Sequence, residues 1–94
     1  VDLQVPYKQA KSKDEAYKIA CEQITPDYVA KFNVKAEIAY DESRGLIKAV
    51  GKGFTLELSF KETQADVSLE LSFLLKAFKK TILETIERKL NKHV

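Results

Sequence analysis

Thiol chemistry in this sequence is limited to one cysteine, Cys21, so no intramolecular disulfide is possible, and with a single histidine there is no Cys/His set for zinc. Such sparing cysteine use fits a reducing, cytoplasmic setting. There are three glycines, two prolines, no tryptophan and no methionine. So few chain breakers beside 45% hydrophobic and 32% charged residues exclude a low-complexity or disordered tail. No apolar run exceeds a few residues, which excludes a transmembrane helix, and the opening VDLQVPYKQAK lacks the apolar core of a signal peptide. Without an opening Met, the initiator is expected to have been trimmed or replaced. Charge of one sign is also scarce: a net +2 over 94 residues does not argue for a nucleic-acid binder. Gly51-Lys52-Gly53 lacks the third glycine and following helix of a dinucleotide loop, so it is read as a turn.

What is present is periodicity. Leu3, Val5 and Tyr7 alternate with polar residues, which predicts a short strand over residues 2–7, with Pro6 favouring a sheet edge. Ser12 and Glu15 stand at capping-box spacing, so a helix is expected to begin there. Ala16, Ile19, Ala20, Gln23/Ile24, Tyr28 and Phe32 continue a helical stripe over 13–32. Pro26 interrupts it, leaving two alternatives: a kink, or a restart with Thr25 as N-cap and Pro26 in the first helical position.

From Val34 the period becomes two. Val34, Ala36, Ile38 and Tyr40 share one face of a strand, Asp41–Gly45 forms a hairpin loop, and LIKAV makes the next strand. Phe54, Leu56, Leu58 and Phe60 alternate with polar residues, and after a turn at 61–64 so do Val67, Leu69, Leu71 and Phe73. Near Phe73 the period changes again, to helical: Leu74/Leu75, Phe78, Ile82, Leu83, Ile86 and Leu90 are expected to form a core face on a helix of about eighteen residues. The chain should therefore be one domain over 1–94. Its class is α+β and two-layer, an antiparallel sheet of four to five strands covered on one face by two helices, in the order β-α-β-β-β-β-α.

Few residues suggest chemistry. The one histidine, His93, sits where chains fray, and Cys21 lies at the margin of the first helix's stripe, where packing explains it. Glu37, Glu57, Asp66 and Glu70 are predicted on the open sheet face, with Lys35 and Lys48 as cross-strand partners, so a solvated surface accounts for them better than paired catalytic carboxylates. No catalytic residue, cofactor site or metal site is assigned, and a non-enzymatic role is expected. Charge is uneven, however: residues 76–94 carry six Lys/Arg against two Glu, leaving −2 for residues 1–75. Lys76, Lys79 and Lys80 fall at a helix N-terminus, where the macrodipole disfavours positive charge, which marks them as a surface contact for an anionic or acidic partner. Arg88, Lys89 and Lys92 fall at the favourable end, and Glu84–Arg88 is an i,i+4 pair. Exposed aromatics interleaved with lysines, as single-strand nucleic-acid binders need, are not foreseen.

The run SFLLKAFKKTILETIERKL, through Leu74, Leu75, Lys76, Phe78, Lys79, Ile82, Glu84/Ile86 and Leu90, resembles the C-terminal segment of the small bacterial polyhydroxyalkanoic acid system proteins. The resemblance extends through VPYKQAKSKDEAYKIA, KFNV and GKGFTLEL. It departs from the family pattern where Tyr7 stands for a frequent His and Ala77 for a frequent Pro, so no role of that His carries over. The resemblance implies a non-enzymatic accessory of polyester storage granules, with a granule surface or a protein as partner. Two readings of other classes stand beside it. One is a carrier with an apolar cavity between Phe32, Phe60, Phe73 and Phe78. The other is a homodimer or larger homo-oligomer formed through an edge strand or the open sheet face.

Overall fold

The computed structural model describes residues 1–32 and 35–94. Its elements are β1 (Leu3–Pro6), α1 (Lys13–Gln23), α2 (Pro26–Ala30), β2 (Ala36–Asp41), β3 (Leu46–Gly51), β4 (Phe54–Phe60), β5 (Gln64–Leu71) and α3 (Lys79–His93), the last preceded by a 3₁₀ turn at Lys76–Phe78. The strands form one antiparallel sheet in the order β1-β5-β4-β3-β2, an α+β architecture. Val34, expected in β2, lies outside the described residues.

Alternation sorts the sheet into two faces. Ile47 opposes Leu58, which opposes Val67, and Ala49, Leu56 and Leu69 form the next row. All are buried, as are Val5, Phe54, Phe60 and Ala65. Lys48, Glu57 and Ser68 form a row on the other face. The helices cover the apolar face: α3 packs on β1, β5 and α1, while α1 reaches β4 and α2 lies against β2.

Local signals explain the helical boundaries. The Ser12 hydroxyl accepts the Glu15 N–H at 3.1 Å and opens α1. At Pro26 the chain restarts rather than kinks: Thr25 Oγ1 accepts the Tyr28 N–H at 3.2 Å, and proline occupies the first turn of α2, where its missing N–H costs nothing. The Ile24 carbonyl left free by the break accepts the Tyr40 hydroxyl at 2.8 Å. The stripe that straddles the break remains one face, since Ala16, Ala20, Ile24 and Tyr28 are all buried.

The chain's two ends meet beside β1. The Val94 carbonyl oxygen accepts the N–H groups of Lys8, Gln9 and Ala10 at 3.2, 2.8 and 2.7 Å, and the Val94 side chain is buried. Tyr7 holds the neighbouring β4–β5 turn by donating to the Lys61 carbonyl at 2.6 Å. Burial of the Tyr7 ring pushes its phenol up to about 12, so it stays protonated as a donor.

The structure corrects the expectation for the third helix. Phe73 does not extend β5, and Leu74 and Phe78 are not core residues: they are 88%, 84% and 55% exposed. The helix begins at Lys79 and is 15 residues long. The reason is register. Phe60 opposes Ala65, so Phe54 opposes Leu71, and any further pairing would use Gly53 and Lys52, which form the β3–β4 turn. The sheet has ended before Phe73 is reached. The chain must also reverse, because α3 starts near Asp2 and ends near Ala10, antiparallel to β5.

Candidate functional site

The reversal between β5 and α3 is tightly specified. Ser72 N–H donates to the Gly53 carbonyl at 2.9 Å, the last backbone bond between this segment and the β3–β4 hairpin. The Ser72 carbonyl then accepts Leu75 N–H at 2.9 Å and Lys76 N–H at 3.0 Å, and Phe78 N–H donates to the Leu75 carbonyl at 3.0 Å. Phe73 and Leu74 thus occupy the two central positions of a hydrogen-bonded turn, with Leu75 tucked toward the body. Gly53 is required beneath it. Its φ is +71°, and a Cβ there would lie 2.7 Å from Ser72 Oγ and 2.9 Å from Ser72 Cβ. A rigid support therefore holds two adjacent large apolar side chains in solvent, with Phe78 one turn further on.

The three predicted lysines do not act alike. Lys79 Nζ lies 3.0 Å from Asp2 Oδ1, while Asp2 Oδ2 accepts the Leu69 N–H at 2.7 Å. The backbone bond from Leu69, followed by the Lys79 ammonium, holds the Asp2 carboxyl below its ordinary value. Asp2 also places negative charge at the start of α3, offsetting the cost of a lysine there. Lys79 is thus a tether between α3 and the β1–β5 edge. Lys76 and Lys80 are exposed, and among the described residues neither lies within ion-pair distance of a carboxylate. Lys52, on the adjoining hairpin turn, is also exposed.

An open groove of about 450 Å³ runs from Leu3 along the first turns of α3, between Lys76, Lys79, Lys80 and Leu83, and ends at Glu84 and Glu87. A second of about 510 Å³ lies on the other side of Lys76 and Lys79, against Leu69–Leu71. Both are shallow depressions open to solvent, beside the exposed turn rather than beneath it.

The other candidates disperse. Glu57 faces Lys48, Asp66 accepts the Gln64 amide at 2.9 Å, and Glu37 and Glu70 stand in one row with two strands between them. Among the described residues no group of three or more His, Cys, Asp or Glu comes together. Cys21 is half-buried beside Tyr17, and burial pushes its thiol up, away from thiolate chemistry. His93 ends α3 beside Lys92 and Tyr28, where the Lys89 ammonium sits 5.1 Å above the Tyr28 ring. The four phenylalanines expected to line a cavity are not brought together. Phe60 packs edge-on against Tyr17 at 6.1 Å and Phe32 stacks on Phe54 at 6.4 Å, while Phe73 and Phe78 face solvent. Among the described residues no helix is long and apolar enough to cross a membrane.

The sequence places the three lysines at the start of the last helix, and the expectation that Phe73, Leu74 and Phe78 beside them are core residues is the part the structure corrects. The hairpin register held the missing signal, since the three-residue turn after Phe60 sets Phe73 opposite Lys52, beyond the last strand position.

Residues 4–94 match the family described as "Putative polyhydroxyalkanoic acid system protein", nearly the whole chain. No curated protein and no solved structure gives a significant match.

Proposed function

This chain belongs to the polyhydroxyalkanoic acid system family, and we propose that within that system it is a non-enzymatic accessory protein. It docks through the β5–α3 turn onto a storage granule in the cytoplasm. The observation that carries this reading is the exposure of Phe73, Leu74 and Phe78 on a turn whose backbone is pinned by the hydrogen bonds of Ser72, Leu75, Lys76 and Phe78. Large apolar side chains held in water by a rigid support cost solvation and add nothing to the core, which is the signature of a contact surface.

Docking needs no rearrangement of the domain, because the stripe that holds α3 on the sheet, Ile82, Ile86 and Leu90, is separate from the exposed residues. Granules isolated from a polyhydroxyalkanoate-storing cell test the reading. The intact protein should sediment with them, and the triple variant F73S/L74S/F78S should stay in the supernatant while keeping the unfolding midpoint of the parent. Equal sedimentation of parent and variant would refute docking through this turn.

A further inference from the structure

We propose that the surface this turn recognises is an anionic phospholipid interface, with Phe73, Leu74 and Phe78 entering the acyl boundary and Lys76, Lys80 and Lys52 meeting lipid phosphates. This rests on the docking reading above and names the chemistry of the surface. Three features of the site select it. The first is shape: a turn tip with two consecutive apolar side chains is a wedge, suited to a deformable interface that closes around it rather than to a preformed pocket. The second is charge. From Leu71 to Leu83 the sequence holds three lysines and no acidic residue, and with Lys79 committed to Asp2, Lys76 and Lys80 remain exposed beside the wedge. Apolar residues flanked by lysines are the composition that binds the headgroup boundary of anionic membranes.

The third feature is area. Three side chains of this size offer on the order of 500 Å², short of the roughly 800 Å² per partner that a stable protein interface buries. A second copy fits poorly for a further reason, since pairing two such tips would bring Lys76 and Lys80 of both copies together. A polyester surface without lipid would accept the apolar wedge, yet it carries no fixed charge to reward the lysines. An interface of phosphatidylglycerol rewards both.

The intact chain, mixed with vesicles of phosphatidylglycerol, vesicles of phosphatidylcholine and lipid-free polyhydroxyalkanoate particles, separates these cases by sedimentation. Partition should favour phosphatidylglycerol over phosphatidylcholine by tenfold or more at low salt, and the preference should fade near 0.5 M salt, where the screening length falls to ~4 Å. K76Q/K80Q should lower phosphatidylglycerol binding by about thirtyfold, and F73S/L74S should abolish it; both variants keep the parent's circular dichroism and unfolding midpoint. Binding to the polyester particles with none to either vesicle overturns the lipid assignment and leaves the docking reading intact. Retention by native granules alone overturns it in favour of a protein partner, and a concentration-dependent dimer abolished by F73S/L74S, without vesicle binding, overturns it in favour of a second copy. Vesicle binding without granule binding supports the lipid site and refutes granule docking.

Discussion

Asp2 joins two elements through one carboxylate, accepting the Leu69 N–H on one oxygen and the Lys79 ammonium on the other. Its own N–H donates to the Val67 carbonyl at 2.8 Å, just ahead of the first paired residues of β1 and β5, Leu3 and Val67. The carboxyl titrates below its ordinary value because these partners favour the charged form. A carboxylate depressed on folding contributes stability that is present above its unfolded value of about 4 and is lost as pH falls through the lower folded value. Asp2→Asn should therefore cost about 1 kcal/mol at pH 7, the modest figure reflecting a partly exposed pair. Denaturant unfolding at a series of pH values checks this: the gap between parent and variant should close below about pH 4, and a gap that persists to pH 2 would show that the loss is not ionic.

At the scale of elements, β4 and β5 were readable because their alternation is strict and a three-residue turn fixes their register. The α1–α2 break was readable as two alternatives, and Thr25 decided between them by capping the restart. The β5–α3 connection was not read correctly, since Phe73, Leu74 and Phe78 satisfy the strand or helix period and periodicity says nothing about where the neighbouring strand stops. The proposed contact surface shares this history: its lysines were visible at a helix start, and its apolar residues were hidden among residues that resemble a core. One pair of substitutions separates stripe from overhang. Ile86→Ala, at a fully buried position, should cost about 3 kcal/mol, whereas Phe78→Ala should change stability by less than about 0.5 kcal/mol. A large loss for Phe78→Ala in thermal or urea unfolding would mean that this ring packs into the domain after all.

For the whole molecule, the question is whether α3 can leave the sheet to lie on a surface. Lifting it would expose Ile82, Ile86 and Leu90, each worth about 2 kcal/mol in burial. It would also uncover the part of the sheet that α3 covers, on β1 and β5, at a similar further cost, and break the three bonds that Val94 accepts from Lys8, Gln9 and Ala10. The total is comparable with the roughly 5–14 kcal/mol that holds a domain of this length together. Detaching α3 is thus equivalent to unfolding, while the turn before it is already exposed and costs nothing to present. Bound protein should accordingly gain hydrogen-exchange protection only around residues 73–80, with the amides of β4, β5 and Ile82–Leu90 exchanging as slowly as in the free protein. Faster exchange in β5 and α3 on binding would identify a lifted helix and place the contact on the stripe instead of the turn.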